Sequence, residues 1–303
     1  MSRNTLDPNW REVEANITDK MSVEKVTDFG DLLVVNAARA SFSTVKDKFD
    51  SKDLKLLSFL CREKHINPFY HWRAAFKWEH IDEMFFFDRH DSAGYDFDRE
   101  RRIMTMNVYN DPQLFVDTFD SCLSGKMLLE HGHRGQRWGT VGELVELDPD
   151  SPASWRTVRI TCPIPIARQW FKSKIGADES EESRRYMKTE PTFFIPQNFR
   201  MASADVKQGS CDTPFDLATL ETISKEYAKA TNAARTAYNT LLELGVCAEQ
   251  ARFILPQSMM TTFVDTMSVR TLRRMFKLRS ASDAQTEINH LVRKVVEVCE
   301  IKL

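Results

Sequence analysis

Apolar and polar positions alternate irregularly through the first half of the chain and settle into helical spacing in the second. Leu54, Leu57, Leu60 and Cys61 recur on one face behind Asp50 or Ser51 as caps, which predicts a helix. The segment HINPFYH (65–71) ends it, because Asn67 precedes Pro68 and leaves the α region. From Trp72 the text WRAAFKWEH alternates as a half-buried strand would. IMTMNVY (103–109) reads as a further strand and PQLFVDTF (112–119) as a short helix, set among less regular runs such as FFFDRH and DPDSPAS. TVRITCPIPIARQWF (157–171) resumes a strand-like pattern. Leu220, Ile223, Tyr227, Ala230, Ala234, Tyr238 and Leu241 then form one long stripe, a helix stopped at Gly245. ARFILP is a short helix closed before Pro256. SVRTLRRMFKLR (268–279) and DAQTEINHLVRKVVEVC (283–299) are two more, the last with Ile288, Leu291, Val295 and Val298 on one face. Strands first and helices after is an α+β order.

Composition narrows the classes of function. A hydrophobic fraction of 42% excludes wholesale disorder. Lys and Arg number 42 against 44 Asp and Glu, so a polybasic coat for a nucleic-acid polymer is excluded, although a local anion site is not. No run approaches about 18 apolar residues, so no membrane span is expected. The start, MSRNTLDPNWREVE, holds no apolar run, so no secretory signal is expected. Six cysteines lie scattered without a CxxC pair and read as reduced thiols, which makes the cytoplasm the expected compartment.

Three constellations carry candidate chemistry. In RQWFKSKIGADESEESRRY (168–186), Arg168, Lys172, Lys174, Arg184 and Arg185 bracket three glutamates and two serines. Arg forks and Ser hydroxyls suit a phosphate monoester, and a solvated surface loop is the competing reading. Arg252 stands alone among apolar neighbours, where an arginine needs a partner. Arg270, Arg274 and Lys277 share one helical face and repel unless an anion or acid neutralises them; an exposed basic face is the alternative. His131 and His133, between Gly132 and Gly135, make a polar loop more readily than a metal site, and no metal is expected. His65 and His71 flank the Pro-Phe turn and can simply cap or pack. GxGxxG, Walker, GxSxG and HExxH motifs are all missing.

Taken in order, several segments resemble the flavin-dependent thymidylate synthases. They are NAARASF (36–42), KLLSFLCREKHINPFYH (55–71), CPIPIARQWFK (162–172), ESEESRRY (179–186), LLELGVCAEQARFILP (241–256) and RTLRRMFKLRSASDAQTEI (270–288). The family signature of a basic triplet, an Asn-Glu, a Ser and an Arg-Tyr is represented by Lys172-Ser173-Lys174, Ser180-Glu181, Ser183 and Arg185-Tyr186. Its longer spacing, the doubled Arg and VKQGS (206–210) are most similar to bacteriophage-type members, for which the compartment would be the host cytoplasm.

The resemblance implies an α+β fold, an antiparallel sheet with packed helices, in one catalytic domain spanning 1–303. It implies a homotetramer with sites shared between subunits. It also implies C5 methylation of dUMP to dTMP without a cysteine nucleophile, methylenetetrahydrofolate supplying the carbon and NADPH reducing FAD. Gln169, Lys172, Glu181, Ser183, Arg184, Arg185 and Arg252 match substrate-gripping positions, with Lys172 in place of an Arg. Arg279 matches the residue that contacts the uracil ring and is the catalytic candidate, since a guanidinium there stabilises enolate-like charge.

The same resemblance implies cofactor positions at Ser41, His65, Asn67, Lys172, Ser173, Lys174, Ser180, Glu181, Arg270 and Arg274. Several depart from the family pattern: Ser173 stands for a His, Ser180 and Ser268 for Asn, Asp283 for a His, and Asn67 and Tyr70 for an alcohol and an acid. Such changes leave two other readings open. One is C5 hydroxymethylation of dUMP or dCMP with altered or no flavin use; the other is a non-catalytic nucleotide-binding relative. The family passes from the His of the Pro-Phe turn to the Pro before ARQW in about ten residues, whereas 163 − 71 = 92 positions separate His71 from Pro163 here. The surplus implies an inserted subdomain or lid over 81–155.

Overall fold

The computed structural model describes residues 17–18, 20–78, 95–98, 100–133, 141–173, 177–196, 198–203, 210–211, 213–281 and 284–303. In chain order its elements are β1 (Ile17–Thr18), β2 (Ser22–Val26), α1 (Gly30–Arg39), α2 (Ser51–Arg62), β3 (Arg73–Trp78), β4 (Tyr95–Asp98) and β5 (Ile103–Asn107). There follow α3 (Pro112–Thr118), α4 (Leu123–Glu130), β6 (Val141–Leu144), β7 (Trp155–Pro163), α5 (Ile164–Phe171), β8 (Asp178–Glu181), β9 (Phe193–Phe194), β10 (Met201–Ala202) and β11 (Ser210–Cys211). The chain closes with α6 (Leu217–Glu243), α7 (Ala248–Ala251), β12 (Met260–Ser268), α8 (Val269–Arg279) and α9 (Thr286–Val298). The α+β expectation holds. Two compact units divide the chain: Met1–Ser22, Thr161–Gln169 and Ser183–Thr261 form the smaller, and Val23–Ile160, Trp170–Glu182 and Thr262–Leu303 the larger.

The larger unit is built on two four-stranded sheets. One has the order β2-β7-β12-β8, with edge strand β8 antiparallel to β12 so that Val264 faces Ser180 and Thr266 faces Asp178. The other has the order β4-β5-β3-β6 and is antiparallel throughout. Helix α2 starts where Asp50 and Asp53 exchange the reciprocal bonds of a capping box. Asp53 is fully buried and bound by both Arg39 and Lys46. Burial alone would raise its carboxyl, but hydrogen bonds from Lys46, the Asp50 backbone N–H and Arg39 hold it below the usual carboxylate range.

Two expectations need correction here. The alternating text from Trp72 does not give a half-buried strand: Arg73, Ala74, Ala75 and Phe76 are all buried, because both faces of β3 are covered, Ala74 and Phe76 by the apolar cluster of α1 and α2 and Arg73 by its pairing with buried Asp178. The strand pattern at 157–171 also ends early. Pro163 closes β7, and Ile166, Ala167 and Trp170 bury at helical spacing in α5.

Described residues of the long surplus segment pack into the same core as the first two helices. Met104, Met106, Val108, Phe115, Cys122 and Leu128 share one apolar cluster with Val34 and Val35 of α1 and Leu57, Leu60 and Cys61 of α2. Helices α3 and α4 approach so closely that a Cβ on Gly125 would come within 3.0 Å of the Pro112 carbonyl oxygen.

The smaller unit contains the long helix α6, capped by Asp216, the short α7, and two-stranded pairings of β1 with β9 and of β10 with β11. Of the 27 residues in α6, Leu220, Thr231 and Tyr238 are buried, and Leu242 near its end is exposed.

Candidate active site

In the larger unit the candidate residues gather at both ends of the segment joining α5 to β8. Ser173 is buried, and two arginines of α8 converge on it. Arg279 donates from Nε to the Ser173 hydroxyl at 2.8 Å, and Arg274 donates to the Ser173 carbonyl at 3.0 Å. Helix α8 presents Arg279 on the face of the buried Leu272 and Met275, four residues past Met275, and Arg274 one turn after the buried Thr271. Arg270, one turn earlier, pairs with Asp96 at 2.8 Å and donates to the Phe97 carbonyl at 2.6 Å. Two of the three basic groups expected to repel are therefore taken up by protein acceptors, while Lys277 stays exposed.

On β8, Asp178 and Ser180 point to one face and Glu179 and Glu181 to the other, by the two-residue repeat of a strand. That first face meets the end of the Pro-Phe turn and the start of β3. Arg73 and Asp178, both buried, pair at 2.6 Å. His71, also buried, contacts Ser180 Oγ through Nε2 at 3.0 Å and Thr266 Oγ1 through Nδ1 at 2.8 Å. Thr266 Oγ1 continues to Thr157 Oγ1 at 2.9 Å. The Ser41 hydroxyl donates to the Glu181 carbonyl at 3.3 Å, and that of Ser43 to Glu182 at 2.7 Å. Trp170 donates to buried Asp265 at 2.6 Å.

In the smaller unit, Arg252 leaves the turn after α7 and reaches the Ser183 hydroxyl at 3.4 Å, so the lone arginine does have a polar neighbour. Arg185 is exposed, ion-paired with Glu249 and lies over the Tyr186 ring. Arg184 behaves differently from its twin. It is buried, donates to the Thr189 carbonyl and sits 5.7 Å over the Tyr238 ring, with its Nε unpartnered. Gln169 is half-buried on α5, in the same unit.

The remaining candidates are less connected. Lys172, Glu181 and Asn67 are exposed, and so is His65, which packs edge-on against Phe59. Lys174 and Asp283 lie outside the described residues. His131 contacts Ser58 at 3.3 Å and His133 the Cys61 carbonyl at 2.9 Å, so both bind α2. Among the described residues no cluster of three metal-ligating side chains occurs, and no helix is long and apolar enough to cross a membrane. Burial pushes the Cys61 and Cys122 thiols up to about 12 and that of Cys299 to about 11, which makes them poor nucleophiles at neutral pH.

Sequence reading missed Arg73, Asp178, Thr157 and Thr266 and gave His71 no task. The signal for them was only one of chemical type, opposite charge for Arg73 and Asp178 and donor with acceptor for His71 and Ser180, in elements that share no sheet.

The family model described as thymidylate synthase complementing protein matches residues 140–302. A flavin-dependent thymidylate synthase of Aquifex aeolicus is 24% identical over 301 residues, covering 88% of this chain and 93% of that protein. One from Thermosipho africanus is 32% identical over 175 residues, covering 58% and 70%. Among solved structures, a UMP/dUMP methylase from Streptomyces cacaoi bound with 5-Br dUMP is 18% identical, with a TM-score of 0.45 and coverage of 93% and 91%.

Proposed function

We propose, for a chain that belongs to the thymidylate synthase complementing protein family, that it methylates dUMP at C5, with methylenetetrahydrofolate as carbon donor, FAD as redox cofactor and NADPH as reductant. The observation that carries this reading is the convergence of Arg274 and Arg279 on Ser173, within a segment that keeps the family's order of basic, acidic and hydroxyl residues. A hydroxyl on Arg279 Nε fixes the plane of the guanidinium. A guanidinium so fixed can face pyrimidine carbonyl oxygens and stabilise the charge that grows on them as C5 attacks. Arg252 and Ser183, with Arg185 beside them, supply charge-assisted and hydroxyl donors suited to a phosphate monoester.

The donors near Ser173 and Ser180 fit a flavin nucleotide, which is rich in acceptors. Hydroxyls of Ser41 and Ser180, with the guanidinium of Arg274 and the ammonium of Lys172, would hold it. The half-buried Ser180 hydroxyl, backed by an ordered polar chain, is the feature that supports the fit. When bound, the flavin supplies the hydride that completes the methyl group. Around it the chain's own task is to bind, orient and neutralise. High thiol pKa values at Cys61, Cys122 and Cys299 agree with a route that needs no thiolate from them.

Self-association fits the long, largely exposed α6 and the exposed Leu244 and Phe253 near it. A homotetramer is the assembly we propose, with a cytoplasmic location.

Incubation with dUMP, methylenetetrahydrofolate, FAD and NADPH, followed by mass spectrometry of the nucleotide, tests the reaction. The expected product is heavier by one methylene. Unchanged dUMP, or a product carrying an additional oxygen, rejects it.

A further inference from the structure

The sheet β4-β5-β3-β6 has two unlike faces. Ala74, Phe76, Met104 and Met106 belong to the apolar cluster on one of them. The other carries Asp96 and Asp98 of β4, with Thr105 of β5 directly opposite Asp96. That polar face meets the start of α8. Asp96 pairs with Arg270 at 2.8 Å, and the Phe97 carbonyl accepts from the same guanidinium at 2.6 Å. Asp98 is buried and accepts from the Ser151 hydroxyl at 2.7 Å and from Arg101 at 2.8 Å. The Thr105 hydroxyl reaches the Ala153 carbonyl at 3.3 Å. The stretch 150–154, tied down in this way, meets a need of the helix: its first N–H groups have no partner inside it. The Ser268 cap accepts from the Thr271 N–H. Val269 N–H donates to the Ser154 carbonyl at 2.7 Å, and Arg270 N–H to the Pro152 carbonyl at 3.1 Å. Arg273 donates from its side chain to the Asp150 carbonyl at 3.3 Å.

Burial of Val269, Leu272 and Met275 holds α8 against the rest of the larger unit, but apolar contact is non-directional and tolerates a slide or a roll. Hydrogen bonds are directional and fix both. We propose that Asp96 and Asp98 are positioning residues for the reaction. Asp96 acts through Arg270, and Asp98 through Ser151 and the carbonyls of Pro152 and Ser154; together they clamp the first turn of α8. A helix moves as a rod, so its first turn sets where Arg274 and Arg279 stand against Ser173. Arg270 is then an anchor of the helix rather than a cofactor ligand, and the segment between His71 and Pro163 contributes to the geometry of the reaction. The inference rests on the reading that Arg279 acts on the pyrimidine.

Two measurements test it. Amide hydrogen exchange reads the clamp without any ligand. Ser151→Ala cuts the link to Asp98 and leaves that carboxylate its bond to Arg101, so the fold should survive. The amides of Val269 and Arg270 should exchange about tenfold faster, the scale of one lost hydrogen bond, while those of Val292 and Val295 inside α9 keep their wild-type rates. Unchanged rates at Val269 and Arg270, or equal acceleration at all four amides, overturn the proposal. Single-turnover product formation at saturating dUMP, methylenetetrahydrofolate and FAD reads the consequence. Asp96→Ala should slow it about tenfold, within the hundredfold that a misplacement of about 1 Å can cost. Its dUMP and FAD affinities should stay within about twofold of wild type, and its melting temperature should barely move, because the Arg270 side chain is 55% exposed. Asp96→Asn keeps an acceptor oxygen for the guanidinium and should recover the rate to within about threefold. A wild-type rate in Asp96→Ala, or an Asn variant as slow as the Ala variant, defeats the positioning role. A gain in FAD affinity in Asp96→Ala would mean that Asp96 withholds Arg270 from the cofactor, and the proposal fails. If the wild-type protein makes no dTMP, the functional reading fails, while the exchange rates still judge the clamp.

Discussion

The two groups of candidate residues are finished to different degrees. Around Ser173 and Ser180, the groups other than the exposed Arg274 are buried or half-buried, and all are joined by bonds of 2.8–3.0 Å to protein partners. Around Ser183, the Arg252 contact is a loose 3.4 Å and Arg185 stands exposed against an exposed glutamate. The first group is set before any ligand arrives, as electrostatic stabilisation of developing charge requires. The second keeps its charges hydrated and adaptable, which suits capture of an anion whose charge does not change during reaction. Substitutions should therefore separate cleanly, into losses of turnover or stability in the first group and losses of affinity in the second.

The largest expected effect is at Arg279. Arg279→Lys keeps the charge but loses the planar fork held by Ser173, and turnover at saturating nucleotide should fall about a hundredfold or more. A wild-type single-turnover rate would place Arg279 with the exposed basic face instead. Arg252→Ala should cost about 2 kcal/mol in dUMP affinity, roughly thirtyfold, by losing a charged hydrogen bond. Its turnover at saturation should stay near wild type, as isothermal titration and steady-state kinetics will show; equal losses in both would erase the contrast.

Acid should also discriminate. The Asp53 carboxyl sits below its ordinary value in the folded protein, so its contribution to stability is complete above about pH 4 and is lost as pH falls through the folded-state value. Asp53→Asn should lower stability by about 2 kcal/mol at neutral pH, since both cationic partners retain some solvent contact. The gap to wild type should shrink in denaturant melts repeated near pH 3. Arg185→Ala should change stability least, by under about 0.5 kcal/mol, because its partner Glu249 is exposed; a larger drop in melting would mean the pair is structural.

Helical elements were largely legible because their signals are local. The cap at Asp50 and the stripes of α6, α8 and α9 need only neighbours in sequence. β2 and the two-sided burial of β3 were not, since both follow from partners far along the chain. In the candidate site, short motifs supplied Arg252, Ser183, Ser173 and Arg279, and the structure brings the first pair and the second pair each into contact. Motifs could not separate Arg184 from Arg185. Burial of Arg184 depends on Tyr238, which lies more than fifty residues away. The chain behind Ser180 was hidden for the same reason: Thr157, His71, Ser180 and Thr266 come from four separated segments.

The apolar cluster that joins α1 and α2 to residues between Met104 and Leu128 bears on what can be trimmed from this protein. Deleting 81–155 would remove Met104, Met106, Val108, Phe115, Cys122 and Leu128 and strand the inner faces of both helices in water. Those helices lead directly into Ser41 and the Pro-Phe turn, so a lineage could discard the segment only by rewriting α1 and α2 in concert. The surplus residues are a commitment of the whole larger unit, inherited or lost together with the surfaces that face them.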